Sequence, residues 1–470
     1  QLWKGYFSYN EVNDLTESPT RITASTQKAL FSKNLNTNEL KTTTTIDGLS
    51  GQDITSIYYS TNFNKTYIGH ANGLMLIVNG SDGAIKIVPS IRDQNGITPT
   101  KKKINHFLEY ENKLYISTDF GLVQFNLETQ LFGDTYLLGN AGQELIVYQS
   151  AVLNNSIYGA TDLGGIRSAD LMNPNLNDFA QWSTFDPGSW KGIVNHNNQL
   201  VVLNSSNSVS RHNGSGFSLV LNLPQTGLDI RTFQNTLSIT TNNHVYTFDQ
   251  NLIQTSHIIS TNIPDMVVNF NCATVIGNAI FIGTKENGVI TASLSNPSTF
   301  EVLKPDGPSR NNIFSLKSTP TNKLWAVYGS YNIFYVPDYS NFGISKLSDT
   351  GWLNIPYEET LESQSLTRIT LNPNDEKNVF FGSNHTGILE FQDDIAIAKY
   401  DHTTPNGPES VFLTQAPSFK SVRNNGLAFD RNGNLWFTNS LVDNALKVRK
   451  TDGSWQSFPI AEFVSSTGQN

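Results

Sequence analysis

One stretch of this chain, 430–436, has the spacing of oxygen-bearing side chains that a calcium ion requires. Asp430, Asn432 and Asn434 stand at alternating positions, as the first ligands of a calcium-binding loop do. The twelfth position of such a loop should carry a bidentate Glu, but here it is Leu441. The Asn-Gly pair within the stretch, flanked by apolar runs, is instead typical of a tight hairpin. We therefore predict a turn between two strands and assign no metal-binding residue.

The other side chains that could act in catalysis do not form a catalytic pattern. The eight histidines are scattered, and five of them fall at separate turns: His70, His196, His212, His244 and His385. The paired carboxylates Asp393-Asp394 and Glu358-Glu359 lie in hydrophilic stretches, where we expect both pairs to be solvated. The sequence has neither a G-x-S-x-G nucleophile turn nor a phosphate-binding loop. We therefore predict that the chain is not an enzyme and assign no catalytic or cofactor-binding residue.

A sugar-cleaving glycosidase or lyase is a further functional class. Such an enzyme needs a cluster of carboxylates, or a His-Tyr-Arg set, at one face of the molecule. The sialidase type of repeat would place a Ser two residues before Asp430, and none is there. The arginines are also few and dispersed, so the sequence predicts no cluster that could bind a carboxylate.

The composition excludes other classes of function. Only 15% of the 470 residues are charged and the formal net charge is -9, whereas nucleic-acid binding demands concentrated Lys and Arg. The one basic cluster, Lys101-Lys102-Lys103, is predicted to be a solvated loop between repeats. No run reaches the roughly 18 apolar residues of a membrane helix. The single cysteine, Cys272, excludes an internal disulfide and is predicted to be a small buried hydrophobe.

A short sequence pattern recurs roughly every 40 to 50 residues. A β-type run ends in an aromatic and a small residue, and a Gly-aliphatic pair follows a few residues later. The clearest copies end in Gly73-Leu74, Gly121-Leu122, Gly288-Val289 and Gly387-Ile388. Repeats of this length built from short strands are typical of a β-propeller, in which each repeat folds into one four-stranded blade. The glycine is expected at a turn where a side chain would obstruct the backbone.

The strand before each of these turns provides one comparable position per repeat, which we call the ladder. The ladder positions are Ile22, Tyr67, Tyr115, Tyr158, Val201, Leu237, Phe281, Trp325, Phe380 and Trp436. Ten blade units exceed the four to eight that usually close one ring. We therefore predict an all-β fold, with a seven-bladed propeller at residues 1–305. Residues 306–470 would form blades of a second propeller, incomplete here or interleaved with the first.

The N-terminal segment is more specific than the blade pattern, because it has four aromatic residues within seven positions. The segments that carry the resemblance are Leu2-Trp3-Lys4-Gly5-Tyr6-Phe7-Ser8-Tyr9-Asn10, Asp47-Gly48-Leu49-Ser50, Ile68-Gly69 to Gly73-Leu74, Lys103-Ile104-Asn105 and Ser117-Thr118-Asp119-Phe120-Gly121-Leu122. With these segments, about the first 140 residues resemble the PorZ-like propeller proteins of the type IX secretion system of Bacteroidetes. The remainder matches only in blade style, and His70 departs from the family pattern, in which an aromatic residue is expected.

This resemblance implies a protein exported to the outer-membrane surface of a Gram-negative bacterium. Members of the family look like two propellers followed by a C-terminal β-sandwich sorting domain, without catalysis or a cofactor of their own. The implied partners are a PorU-like sortase and PorV-like and PorQ-like outer-membrane proteins, with lipopolysaccharide as a further ligand. Because the chain begins at Gln1, we expect that a signal peptide has been removed. Residues 465–470 are predicted to be a linker.

An alternative function stays open, the periplasmic ligand-sensing propeller of a hybrid two-component system, which would also carry paired propellers. Propeller ligands usually bind at the mouth of the central channel. The polar loop residues His70, Asn72, Asp119 and Asp162 are candidates for that position. Each is more simply interpreted as a turn cap, so we assign no site residue.

Overall fold

The computed structural model is an all-β chain with ten four-stranded antiparallel sheets in its described part, which confirms the predicted propeller fold class. It describes residues 4–411, 416–460 and 462–463, so Leu2, Trp3 and the predicted linker 465–470 lie outside the described residues. Within each sheet the strands follow one another in chain order. The chain has two compact units, 1–305 and 306–470. We number the sheets 1–10 along the chain.

The first unit contains sheets 1–7. Their strands, four to a sheet, are β1 Val12–Ser18, β2 Arg21–Thr26, β3 Leu30–Asn34, β4 Leu40–Thr43, β5 Ile54–Ser60, β6 Lys65–His70, β7 Met75–Asn79, β8 Ile85–Val88, β9 Ile104–Tyr110, β10 Lys113–Thr118, β11 Leu122–Asn126, β12 Leu131–Tyr136, β13 Val147–Leu153, β14 Ser156–Thr161, β15 Ile166–Asp170, β16 Ser183–Asp186, β17 Trp190–His196, β18 Gln199–Asn204, β19 Ser208–His212, β20 Phe217–Asn222, β21 Gly227–Phe233, β22 Thr236–Thr241, β23 His244–Phe248, β24 Gln254–Ile259, β25 Phe270–Ile276, β26 Ala279–Thr284, β27 Val289–Ser293 and β28 Phe300–Leu303.

The second unit contains sheets 8–10. Their strands are β29 Ser315–Ser318, β30 Leu324–Val327, β31 Ile344–Ser348, β32 Gly351–Ile355, β33 Leu366–Asn372, β34 Asp375–Ser383, β35 Ile388–Gln392, β36 Ile395–Tyr400, β37 Asn424–Phe429, β38 Leu435–Asn439, β39 Leu446–Arg449 and β40 Trp455–Phe458. Helical structure in the described residues is limited to one short α-helix and five 3-10 turns, none long and apolar enough to cross a membrane. They are α1 Ser90–Asp93 and the turns Pro99–Lys101, Asn140–Gly142, Phe179–Gln181, Ser260–Asn262 and Tyr357–Thr360.

The ladder positions all lie in the second strand of their sheets, as the repeat predicts. Most of them point toward the next sheet; Tyr67, for example, belongs to the core cluster of sheets 2 and 3. The ladder positions assigned to Ile22 and Leu237 are wrong by one residue. Each of these side chains packs in the core cluster that its sheet shares with the preceding sheet. Neighbouring residues of a strand face opposite sides. In sheets 1 and 6 the residues equivalent to Tyr67 are therefore Thr23 and Ser238. Both are polar, so a search for apolar residues did not select them.

The inner strands of the first unit form a closed ring. Each packs against the inner strand of the next sheet, and β25 packs back against β1. Every one of these seven strands has a bulge at its second residue. At four junctions the bulged side chain donates to a carbonyl at the start of the next inner strand. These bonds are Asn13 Nδ2 to Ile54 O (2.9 Å), Thr55 Oγ1 to Ile104 O (2.6 Å), Asn105 Nδ2 to Val147 O (3.0 Å) and Asn271 Nδ2 to Val12 O (2.9 Å). Each such bond contributes about 1 kcal/mol.

The N-terminal aromatic segment helps to close the ring between sheets 7 and 1. Tyr9 is 5% exposed and lies in a core cluster formed by both sheets, against which Phe7 also packs. Asn10 adds two hydrogen bonds: its O accepts from Gly288 N (2.8 Å) and its Oδ1 from Lys304 Nζ (2.6 Å). Part of the aromatic content at the start of the chain therefore has a packing role.

Two glycines of the repeated pattern, Gly121 and Gly387, lie against the end of the fourth strand of their own sheets. A Cβ placed on Gly121 would be 2.2 Å from Tyr136 O, and one on Gly387 would be 2.1 Å from Tyr400 O. Both carbonyls belong to the last residue of a fourth strand. The expected obstruction is thus confirmed at Gly121 and Gly387, and its cause there is the close approach of the fourth strand to the turn before the third.

Gly165→Ala tests this close approach against a matched control. Gly165 has φ +74°, and its added Cβ would be 2.2 Å from the carbonyl oxygen of Asp186; Gly83 has φ +75° with no heavy atom within 4 Å. Both substitutions incur about 1 kcal/mol for the left-handed backbone. We expect Gly165→Ala to cost about 2–3 kcal/mol more in the free energy of unfolding, because the backbone must move. Equal losses for both variants in denaturant unfolding would contradict this account.

The basic cluster at 101–103 is only partly solvated, contrary to the prediction. Lys102 is 8% exposed, and its Nζ donates to Arg92 O and Gln94 O, each at 2.7 Å. The aliphatic part of the Lys102 side chain is buried, while its ammonium group is hydrogen-bonded to the carbonyls of Arg92 and Gln94. Lys101 is close to Glu144 at 3.4 Å, and Lys103 is exposed as expected.

Candidate functional site

A cavity of about 460 Å³ lies in the central channel of the first unit. Its walls are the inner strands β1, β5, β9, β13, β17 and β21, from the middle of each strand toward its C-terminal end. The lining combines carboxylates with tyrosines, including Tyr58, Tyr59 and Tyr110. Ligands usually bind in concave sites of this kind, where a few polar groups converge.

Arg231 on β21 is the electrostatic centre of this channel. Its Nε and Nη2 donate to the Asp229 carboxylate at 2.8 and 3.0 Å, and Nη2 also donates to Asp14 Oδ1 at 2.8 Å. Nη1 donates to Leu15 O at 2.6 Å and lies 4.0 Å from Glu17 Oε2. The four charged side chains are between 12% and 18% exposed. One guanidinium therefore serves three partly buried carboxylates.

Burial perturbs the pKa values of these groups. It raises the pKa of Glu17 to about 7, although the Arg231 charge acts in the opposite direction. Burial also raises the pKa of Asp229, again opposed by Arg231. For Arg231 burial acts to lower the pKa, but Asp229 and Asp14 outweigh it and hold the pKa above its ordinary value. Burial lowers the pKa of His106, on the channel wall, to about 4, so this imidazole is neutral at pH 7.

These channel side chains bind mainly to the ring itself. Asp14 Oδ2 accepts from Ile57 N of the next inner strand at 2.9 Å. Gln149 Oε1 accepts from Ile193 N at 3.0 Å, and its Nε2 donates to Ile230 O at 3.0 Å. The inner strand is the edge of each blade, and its amides need partners. The polar ring of the channel therefore supplies those partners, and its pKa shifts follow from structural burial.

The four candidate loop residues have local roles. His70 is 1% exposed, with its Nδ1 2.9 Å from Leu74 O and its Nε2 3.0 Å from Ser50 Oγ. The side chain of Asn72 accepts from Leu74 N. The side chain of Asp119 accepts from Asn105 Nδ2, and that of Asp162 from Leu163 N. The structure does not gather the four residues around one ligand.

The stretch 430–436 forms the predicted hairpin between β37 and β38. Asp430 Oδ1 accepts from the backbone N of Asn432 and of Asn434, both at 2.9 Å. Its Oδ2 accepts from Asn434 Nδ2 at 2.8 Å and from Trp436 Nε1 at 2.9 Å. These hydrogen bonds lower the pKa of Asp430 to about 2. The carboxylate thus organises the turn with all its bonds directed inward.

The paired carboxylates differ from one another. Glu358 and Glu359 are exposed, as predicted, in the 3-10 turn that begins at Tyr357. In the other pair, Asp393 is exposed, as predicted, and forms a surface ion pair with Lys377 at 2.8 Å. Asp394 is half-buried and binds Lys346, so the prediction of a solvated side chain was wrong for Asp394 alone. The sequence could not show these pairs, because the strands that carry the lysines are brought alongside by the sheets.

Two histidines, His244 and His257, are in contact although no sequence pattern predicted it. His244 Nδ1 lies 2.9 Å from His257 Nε2 on neighbouring strands of sheet 6, and Tyr246 stacks on His257 with ring centroids 4.1 Å apart. Burial lowers the pKa of both imidazoles. Within the described ranges no group of three or more His, Cys, Asp or Glu residues is placed to hold a metal ion.

The second unit presents a different polar surface, at the long connection 328–343 between β30 and β31. Arg368 on β33 and Arg423, the residue before β37, contact this connection. Arg368 Nη2 donates to Tyr331 OH at 3.2 Å, and Arg423 Nη1 donates to Tyr335 O at 3.3 Å. The sequence predicted no arginine cluster, yet two arginines 55 positions apart meet one loop, because successive sheets place their inner ends side by side.

Comparison with known proteins shows a family likeness in part of the first unit. Residues 22–183 match the family model of the N-terminal β-propeller domain of PorZ from the type IX secretion system. A structure of PorZ from Porphyromonas gingivalis, described as an essential bacterial surface component of that system, superposes with a TM-score of 0.82 at 21% identity. Residues 22–183 are PorZ-like. The superposition covers 98% of this chain, so the PorZ-like fold extends through both units.

The chain spans only 61% of the length of that P. gingivalis structure. Two extracellular domains of hybrid two-component systems from B. thetaiotaomicron are more distant. One has 14% identity and a TM-score of 0.48 over 96% of this chain and 58% of the other. The second has 13% identity and a TM-score of 0.34 over 95% and 66%. No curated protein matches the sequence.

Proposed function

We propose that this PorZ-like chain is a non-catalytic component of the type IX secretion attachment machinery, exported to the outer-membrane surface. In this role it binds the sortase and its outer-membrane partners, and lipopolysaccharide, and so supports the anchoring of cargo. The observation that carries the proposal is the match of residues 22–183 to the PorZ propeller family, together with the likeness in fold over 98% of the chain. The likeness to PorZ concerns sequence and fold, whereas the proposal names binding partners, so binding must be tested directly.

The arrangement of polar groups in the channel supports a binding role over catalysis. An acid–base catalyst needs a titratable group free to reach a substrate. The charged groups of the channel instead contact one another: Arg231 with Asp14, Asp229 and Glu17. The imidazole of His106 is neutral at pH 7, and its Nε2 lies 3.4 Å from the side-chain amide of Gln149. Function in such a scaffold depends on surfaces between loops.

A pull-down tests the proposal directly. The tagged chain, residues 1–470, is incubated with outer-membrane extract from a bacterium with a type IX system, and retained proteins and glycolipid are identified. We expect recovery of the sortase, of PorV-like and PorQ-like proteins, and of lipopolysaccharide. Extract from a strain lacking the sortase provides the control, since it separates direct capture of each partner from capture through the sortase.

Failure to retain any of these partners, with the chain shown to be folded by circular dichroism, would contradict the proposal. The ligand-sensor alternative would then be tested by screening small sugars for stabilisation of the folded chain, because a ligand that binds only the folded state raises the midpoint of unfolding.

A further inference from the structure

A second cavity of the first unit, of about 270 Å³, lies at one end of sheet 4 and shares no lining residue with the central channel. Three segments enclose it: the connection 139–145 before β13, the turn 162–165 between β14 and β15, and residues 187–188 after β16. Four of its lining residues are glycines, so the backbone forms much of its wall.

Arg167 on β15 places a buried cation against this cavity. The residue is 5% exposed, and it is one of the lining residues. Its Nη1 donates to Thr184 Oγ1 and its Nη2 to Trp182 O, both at 2.6 Å. Both acceptors are neutral. Burial lowers the pKa of Arg167, and no neighbouring charge in the described residues opposes this effect, in contrast to the carboxylates around Arg231.

The guanidinium of Arg167 retains donors that the protein does not use. It carries more N–H groups than the two that these hydrogen bonds occupy. Its Nε is buried and has no hydrogen-bond partner among the described residues. Buried polar atoms are rarely left unpaired, and buried charges are usually paired. Because hydrogen bonds between two charged groups are the strong ones, an anion is the acceptor that this cation binds best.

The rest of the cavity provides uncharged polar groups and apolar groups. Asn140 and Gln143 are exposed at its rim, and their side-chain amides form no hydrogen bond to the described residues. Leu163, which also lines the cavity, is 84% exposed. Deeper in the cavity, a Cβ placed on Gly164 would be within 4 Å of Leu145 Cδ1 and of Arg167 Cδ. The apolar wall therefore adjoins the Arg167 side chain.

The charges around the cavity favour a monoanion. Arg167 is the one charged residue that lines it in the described part of the chain. Asp162 and Asp186 adjoin lining residues in the sequence, but neither lines the cavity. A single guanidinium balances one carboxylate, whereas a phosphate dianion would keep an unpaired negative charge there. The planar fork of an arginine also matches the geometry of a carboxylate.

We propose that this cavity binds a carboxylate that carries a small apolar substituent. Arg167 binds the carboxylate, and Leu145 and Leu163 contact the substituent. The amides of Asn140 and Gln143 form hydrogen bonds with polar atoms beyond it. The inference goes beyond the proposed function, because it adds a site and a class of ligand that the secretion role does not include. A free organic acid and the carboxyl end of a peptide both have this chemistry, and the test separates them.

The test uses the full chain, residues 1–470, and titration calorimetry with N-acetylleucine and N-acetylleucinamide, which differ only in the carboxylate. We expect the acid to bind more tightly than the amide by about tenfold or more. The peptide N-acetyl-dialanyl-leucine identifies the source. Tighter binding of this peptide than of N-acetylleucine assigns the site to peptide ends, because the rim amides then contact its peptide groups. Weaker binding of the peptide assigns the site to a free acid.

Two pairs of variants test the residues named. Arg167→Gln removes the charge but keeps a donor, and it should reduce the preference for the acid by about tenfold. Arg211→Gln, at an exposed position of sheet 5, is its matched control and should leave the preference unchanged. Leu163→Ser should weaken N-acetylleucine by about fivefold through lost apolar contact. Its control is Leu131→Ser on β12, where the leucine is 66% exposed and outside the cavity.

Three results would overturn the inference. The first is equal affinity for N-acetylleucine and its amide, and the second is an unchanged preference in folded Arg167→Gln. The third is binding of inorganic phosphate as tightly as N-acetylleucine, because the apolar wall would then take no part. If Arg167→Gln does not fold, the exposed leucines decide, since both variants keep the core intact. Equal affinities of Leu163→Ser and Leu131→Ser for N-acetylleucine would then refute the site.

Discussion

Arg231→Met is expected to destabilise the first unit by about 3–5 kcal/mol, the largest effect of any single substitution considered. The guanidinium serves Asp229, Asp14 and Glu17 within a channel where these side chains are at most 18% exposed. Methionine fills similar volume but leaves three carboxylates facing one another without a cation. Since like charges raise one another's pKa, acid should partly restore the stability of the variant by protonating them. Denaturant unfolding at pH 5 and pH 7.5 measures both effects.

A matched control for this prediction is Arg92→Met. Arg92 also pairs with an aspartate, binding Asp93 at 2.7 Å, but both side chains are largely exposed at 42% and 57%. We expect no measurable change in the midpoint of unfolding for this variant, because water replaces the lost partner. If the two arginine variants lost similar stability, the channel network would not be the source of the effect.

Glu17→Gln is expected to have the opposite sign and to stabilise the chain at neutral pH. The folded-state pKa of Glu17 is about 7 against an ordinary value of 4.5, mainly because of burial. The stability that Glu17 contributes is therefore complete below pH 4.5 and is lost as the pH rises to 7. The full loss is about 3 kcal/mol, at 1.36 kcal/mol for each unit of pKa. Glutamine avoids that loss, since it carries no charge at any pH.

The measurement is the difference in the free energy of unfolding between Glu17→Gln and the parent chain from pH 4.5 to pH 8. We expect this difference to be near zero at pH 4.5, to grow up to pH 7, and then to level off. The value at pH 4.5 is an internal control for changes in packing. A difference that does not vary with pH would mean that Glu17 is not held protonated by the channel.

Much of the fold follows from local sequence patterns. Each of the four clear Gly-aliphatic pairs falls at the turn between the second and third strands of its sheet, because a blade is a meander whose turns are set by adjacent residues. The hairpin at Asp430 is local for the same reason. The ladder positions in sheets 1 and 6 were predicted wrongly because a polar residue occupies the usually apolar position. The apolar neighbours Ile22 and Leu237, which face the opposite side of the strand, were assigned in its place.

The candidate sites depend on contacts that no local pattern contains. Arg231 and Asp14 are 217 positions apart and meet only because sheets 1 and 6 face the same channel. Arg423 reaches Tyr335 across 88 positions in the same manner. Lys102 was taken for a solvated residue because its charge is visible in the sequence, whereas the carbonyls that satisfy it are not.

The sequence by itself determined the blade repeat, the turns and the family resemblance, because strand alternation and turn chemistry act between residues a few positions apart. Only the tertiary structure decided which charges are neutralised. A ring of sheets brings the inner strands together, so it sets Arg231 among carboxylates in the first unit. In the second unit the same kind of packing leaves Arg368 and Arg423 with neutral acceptors among the described residues. Which charged side chains are paired is thus decided when the inner strands assemble, since the two partners of such a contact lie on different strands.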